Sequence, residues 1–265
     1  MAYVLPRHPG EANRLDLQHH VLRAVLGSNY LAPIERPARL LEVGSGTGQW
    51  AFELAAEFPD ALVVGFDLVP SKGSGPANYR FVRGNVLQGL PFGDGQFDFV
   101  HQRLMVSGVP VSRWAAVAGD LVRVTRPEGW IELVEAMPGM EPEGPATARL
   151  LSLLRQLVRT TGLDSLGHVM GSLDRYLEQA GAVAVQTRTL TLPIGEWGGN
   201  VGSWLASDAR ALFTRLEGTF EARLGLAGTE CRQLIATMLD EFEQYRPTTS
   251  FKIALGQRPT IASPH

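Results

Sequence analysis

From Arg39 onward the apolar residues fall into short runs separated by turn residues, and between the runs they recur at helical spacing. The runs RLLEV, ALVVGF, YRFVRG, FDFVHQ and WIELVEA predict strands, and WAFELAAEF predicts a helix after the first of them. Between the fourth and fifth runs, Trp114, Val117, Leu121 and Val124 sit three or four apart and predict a helix, which Pro127 and Gly129 break before WIELVEA. Strands alternating with helices predict an α/β fold, a parallel sheet covered on both faces, so each strand reads as buried.

Outside this rhythm, Leu15, Leu17, Val21, Leu22, Val25 and Leu26 predict an amphipathic helix ahead of the core, stopped at Gly27. After the proline- and glycine-rich turn MPGMEPEGP come helices in ARLLSLLRQLVRTTG and SLDRYLEQAG, then a strand around AVAVQTRTL. From about Gly198 to Tyr245 the rhythm lapses. Leu205, Leu212, Phe213, Leu216, Phe220 and Leu224 trace one helical face, and Leu234, Ile235, Met238, Leu239 and Phe242 trace another, before a last strand in FKIALGQ. The expected organisation is a helical segment at 1–38, a core at 39–195, a helical insertion at 196–247, and the final strand with a tail at 248–265. No internal repeat interrupts it.

With 45% hydrophobic and 19% charged residues, the 265-residue chain has the composition of a soluble globular protein. A net charge of −3 without a basic block argues against nucleic acid as a partner. The single cysteine, Cys231, excludes an internal disulfide and a zinc site built from cysteines. The sequence carries neither a recognisable export signal nor an apolar run of membrane-spanning length, so a cytoplasmic location without membrane contact is expected.

The chemistry concentrates in LEVGSGTGQW, residues 41–50. Gly44, Gly46 and Gly48 allow positive φ and let the backbone approach a ligand. The turn follows the first strand, and in an open α/β sheet ligands bind beyond the carboxyl ends of the strands. The spacing G-x-G-x-G is not the G-x-G-x-x-G of dinucleotide sites, and no Gly-Lys-Ser/Thr of a P-loop follows. Glu42 beside it opposes a pyrophosphate and suits a cationic amine or sulfonium. Asp67 ends the second strand, about 20 residues beyond the turn, where a carboxylate can accept from ribose hydroxyls. Asn85 ends the third strand as a partner for an adenine edge, with Val86 as an apolar wall.

These motifs, LLEVGSGTG, VVGFDL, RGNVLQGLPFGDGQFDFVHQRL and LVRVTRPEGWIELVE, resemble in order those of class I S-adenosylmethionine-dependent methyltransferases over residues 39–136. Within that family NYLAPIERP, HQR and EGWIELVE look most like the branch of fungal LaeA-like secondary-metabolism regulators and bacterial small-molecule methyltransferases. Asn85 departs from the pattern, which often has Asp there. The resemblance implies a Rossmann-like, mostly parallel seven-stranded sheet with helices on both faces and an antiparallel last strand, the extra helices forming a substrate lid. It implies S-adenosyl-L-methionine as cofactor. Glu42, Gly44, Ser45 and Gly46 would line its methionine part, Asp67 and Leu68 its ribose and adenine, and Asn85 and Val86 its base. Gln102 and Arg103 would face its amino-acid end, with Arg103 pairing the carboxylate.

A methyl transfer needs chiefly alignment of the acceptor, and a general base only where the acceptor carries a proton. His101, Glu135 and His168 are the candidate bases, although each also suits a structural role. Tyr30, Met170, Trp197 and Trp204 are the candidate lining of an acceptor pocket, and Phe213 reads as core. The adjacent pair His19-His20 points about 100° apart on a helix and predicts no metal site. The expected function is methyl transfer to a small organic acceptor, plausible in secondary metabolism, with a homodimer left open. A cofactor-binding regulator without turnover and a methyltransferase-fold enzyme of another reaction, such as cyclisation, are the alternatives.

Overall fold

A computed structural model describes residues 9–71, 73, 75–159 and 161–260. The ends of the two outer predicted segments, 1–8 and 261–265, lie outside the described residues. In chain order the elements are α1 (Pro9–Leu26), β1 (Arg39–Val43), α2 (Gln49–Glu57), β2 (Leu62–Asp67), β3 (Tyr79–Arg83), β4 (Phe97–Arg103), α3 (Trp114–Val124) and β5 (Thr125–Ala136). Then follow α4 (Pro145–Val158), α5 (His168–Gly171), α6 (Leu173–Gln179), β6 (Val183–Pro193), α7 (Gly199–Leu224), α8 (Gly228–Tyr245) and β7 (Thr248–Gln257).

The seven strands form one sheet in the order β3-β2-β1-β4-β5-β7-β6. All neighbours run parallel except β7, which is antiparallel to both β5 and β6. The expected α/β architecture with an antiparallel last strand is therefore the observed one. The chain order reverses between β1 and β4, which places the crevice beyond their carboxyl ends.

Strand alternation sorts the core. Leu40, Val63 and Phe99 pack with Trp50, Ala51 and Leu54 of α2 on one face. Leu41, Val64 and Val100 pack with Trp114 and Leu121 of α3 and Leu173 of α6 on the other. A third apolar cluster joins α1, α4, α7 and α8 to β5, β6 and β7 through Leu22, Leu150, Phe213, Phe220, Met238, Phe242, Val134 and Ile253. Phe213 is thus core, and the extra helices are a packed layer on the sheet.

Three elements differ from expectation. β5 begins at Thr125, passing through Pro127 and Gly129, where a break was predicted. Gly129 makes this possible, because a Cβ there would stand 2.9 Å from the Asp98 carbonyl and 2.7 Å from Thr125 Cγ2. The loop-like segment around His168 contains the short α5, started by Asp164, whose carboxylate accepts from the backbone N–H groups of Leu166, Gly167 and Val169. α1 starts well before Leu15.

Candidate functional site

The turn after β1 is built by its glycines. Gly44, Gly46 and Gly48 have φ values of 75°, 53° and 85°, the left-handed region that disfavours side chains. A Cβ on Gly44 would lie 2.4 Å from Met105 Sδ, so the backbone passes close under the segment after β4. Gly44 N–H donates to the Phe66 carbonyl at 2.8 Å, stitching the turn to β2. Asp67 continues the stitch, accepting from Gly46 N–H at 2.9 Å and Val69 N–H at 3.1 Å. Leu68 beside it is 39% exposed, an apolar surface at the rim. Across β3, Asn85 Oδ1 accepts from Leu87 N–H and starts a short 3-10 turn at Val86, leaving Val86 partly buried.

Beneath the turn, three ionisable residues share one cross-strand row. The register pairs Glu42 of β1 with His101 of β4, and His101 with Glu132 of β5. All three are buried. Burial pushes the Glu42 carboxyl up to about 8, against the pull of Arg103 and the Ala51 backbone N–H toward the charged form. Glu42 Oε2 has no hydrogen-bond partner among the described residues. Arg103, two residues past His101 on the same face, holds its Nε 4.0 Å from Glu42 Oε1. Gln102 points to the opposite face, buried, with neither amide atom partnered among the described residues.

α1 roofs this arrangement. Leu15 Cδ1 stands 3.3 Å from where a Gly46 Cβ would be, and Thr47 donates its hydroxyl to Asp16 at 2.6 Å. One turn on, buried His19 lies with Nδ1 3.0 Å from Arg103 Nη2 and Nε2 3.0 Å from Glu53 Oε1 of α2. The other end of the roof is tied to α7, where Asp208 accepts from Arg14 and Gln18, and His20 meets the Trp204 ring edge-on at 4.7 Å.

The candidate bases lie in unlike surroundings. The His101 ring stacks on Trp50 at 4.1 Å, enclosed, and burial holds it well below the ordinary imidazole range. Its Nε2 is 3.8 Å from Glu132 Oε1. Glu135 is buried and accepts from the backbone N–H groups of Met105 and Val106, which fixes the segment that covers Gly44. Burial raises its carboxyl to about 8. His168 is exposed at the start of α5, next to Gly167, which abuts Met137 just past β5.

The candidate pocket residues are dispersed. Tyr30 does not come to the turn: its hydroxyl donates to Glu57 at the far end of α2, and its ring packs near Phe58 and Phe99. Met170 is buried within α5. Trp197 is partly exposed, with its indole N–H on the Ile194 carbonyl, and Trp204 is half-buried against the layer of extra helices.

Two functional candidates were not foreseen. Glu132 Oε2 accepts from the backbone N–H groups of Leu31 and Ala32, fixing the chain that follows α1, and burial lifts its carboxyl to about 7. Its signal in the sequence is a charged residue inside an apolar strand. In the sequence His19 stands out only as half of an adjacent histidine pair. Among the described residues no cluster of His, Cys, Asp or Glu is arranged to hold a metal ion, and no helix is long and apolar enough to cross a membrane.

Residues 40–129 match a family described as a methyltransferase domain. The chain is 31% identical over 201 residues to Methyltransferase str3 of Strobilurus tenacellus, covering 72% of this chain and 70% of that protein. It is also 31% identical over 206 residues to the Secondary metabolism regulator laeA of Aspergillus fumigatus, covering 74% of this chain and 54% of that one. The chain spans less than two thirds of the length of several such curated relatives. In fold it is similar to phosphoethanolamine N-methyltransferase 2 of Haemonchus contortus, solved in complex with S-adenosyl-L-methionine. That likeness has a TM-score of 0.56 at 15% identity, covering 94% of this chain and 52% of the other.

Proposed function

Because this chain belongs to the class I S-adenosylmethionine-dependent methyltransferases, we propose that it transfers a methyl group to a small organic acceptor, in secondary metabolism. The observation that carries the reading is the buried Glu42 carboxyl at the foot of the glycine turn, with one oxygen unpartnered among the described residues. The residues present fit the cofactor: an orphaned carboxylate oxygen suits a cationic amine or sulfonium, and the bare turn leaves backbone for close approach. S-adenosylmethionine supplies an activated methyl group with its own leaving group.

The chain's residues then bind and orient. Glu42 faces positive charge, Arg103 is the partner for a carboxylate, and Asp67 offers acceptors at the ribose position while holding Gly46 and Val69. Leu68, Asn85 and Val86 border the base. The carboxyl ends of β4 and β5 run into the apolar layer of extra helices, through Leu104, Val134 and Ala136. An acceptor with apolar surface suits that neighbourhood better than a polymer. For an acceptor that carries a proton, His168 is the base we assign, since it is exposed while His101 and Glu135 are enclosed.

Purified protein incubated with methyl-labelled S-adenosylmethionine and a metabolite extract is expected to place label in the small-molecule fraction. Label in protein or RNA instead overturns the reading. The similarity to laeA favours a second reading, a cofactor-binding regulator. It predicts a stable complex with another protein and no labelled product from any extract.

A further inference from the structure

Arg103 and Glu42, a guanidinium and a carboxyl that burial keeps mostly protonated in the free protein, are both largely buried and stand 4.0 Å apart, yet they do not close into a hydrogen-bonded pair. Once Glu42 ionises, such a pair is where an enclosed carboxylate and guanidinium would settle. What holds them apart is on α1. Arg103 Nη2 is 3.0 Å from His19 Nδ1, and a guanidinium can only donate, so Nδ1 is the acceptor and the ring proton sits on Nε2. Nε2 in turn lies 3.0 Å from Glu53 Oε1, near enough for the carboxylate to favour a proton there although no well-aligned hydrogen bond closes, and Arg23 of the same helix stands 3.1 Å from Glu53.

We infer that His19 is a positioning residue for cofactor binding: by drawing the Arg103 guanidinium toward α1 it keeps Arg103 from closing on Glu42 when that carboxyl ionises beside the ligand's cation. This rests on the reading of Arg103 and Glu42 as the cofactor's carboxylate and cation partners. The consequence is a zwitterion site, with an anion partner and a cation partner held separately in one enclosed space. Leu15 and Asp16 lie on the same face of α1 as His19, at the glycine turn, so the helix that roofs the turn is also the one that sets the charges. Burial and the nearby Arg103 guanidinium both hold the His19 ring toward its neutral form, the form that accepts.

The test measures S-adenosylhomocysteine binding by calorimetry in four proteins: wild type, Arg103→Ala, His19→Leu and His19→Asn. Leucine fills the buried space without an acceptor, whereas asparagine places Oδ1 where Nδ1 stands. Loss of one such charged hydrogen bond corresponds to a weakening of about tenfold or more. Arg103→Ala and His19→Leu are expected to weaken binding by that much, and His19→Asn to recover most of it. If Arg103→Ala weakens binding and His19→Leu does not, the inference fails and the reading of Arg103 stands. If His19→Leu and His19→Asn lose affinity equally, His19 is merely structural and the inference fails. Wild-type affinity in Arg103→Ala removes the reading beneath it. Nitrogen NMR of wild-type His19 checks the tautomer without any variant, and a protonated Nδ1 overturns the inference.

Discussion

At Glu42, burial and ligand charge pull in opposite directions. With its carboxyl raised to about 8, most of the residue is protonated at pH 7 in the free protein. A sulfonium or ammonium placed beside it favours the carboxylate, so binding S-adenosylmethionine is expected to release a proton. Calorimetry at pH 7 in buffers of different ionisation enthalpy measures that release directly. Glu42→Gln is expected to abolish it, and an unchanged proton count in that variant removes Glu42 from the cation's side. Glu42 was legible in the sequence because it adjoins a glycine turn, and so were the turn and Asp67, whose roles are local to a strand end. Glu132 and His19 were not. Their meaning depends on which strands pair in which register and on where α1 lies, and neither is encoded at the position itself.

Elements were legible where periodicity was long. The helical faces of α3, α7 and α8 follow a sustained 3.6-residue period, whereas β1, β2 and β4 were legible as short apolar runs bounded by turn residues. α5 escaped because four residues cannot show a period, and its start is set by Asp164 through backbone contacts. Capping between elements escaped for the same reason. Glu241 on α8 accepts from the backbone N–H groups of Ala146 and Thr147 and from the Thr147 hydroxyl, and so caps α4 from a distant part of the chain. Gly144 leaves room for it, since a Cβ there would come within 2.4 Å of the Glu241 carboxylate. Glu241→Ala leaves three donors without that acceptor, in a site closed to water. A loss of about 3 kcal/mol is expected, toward the upper end for an unmade buried hydrogen-bond group. Urea denaturation checks it: a stability loss below about 1 kcal/mol, taken as the midpoint shift times the m-value, means water replaces the cap.

Over the whole molecule, the buried carboxyls set a pH dependence with a definite sign. Glu42 and Glu135 are raised to about 8 and Glu132 to about 7, from an ordinary 4.5. Between 4.5 and these values the folded protein binds protons that the unfolded chain has lost, so their contribution falls as pH rises. Buried His19 and His101 act oppositely. Their rings are held below the ordinary 6.5, so below that pH the unfolded chain binds the extra protons and stability rises with pH. The two trends oppose each other up to about pH 6.5, and above it the carboxyls act alone. The melting temperature of the free protein is therefore expected to fall between pH 6.5 and 8. Glu42→Gln and Glu135→Gln should each flatten part of that slope, because a neutral amide has no proton to lose. A melting temperature that stays level or rises across this window would mean that the carboxyls are not held neutral. Glu42 would then face the cofactor already ionised, and the proton release argued for it would vanish along with the slope.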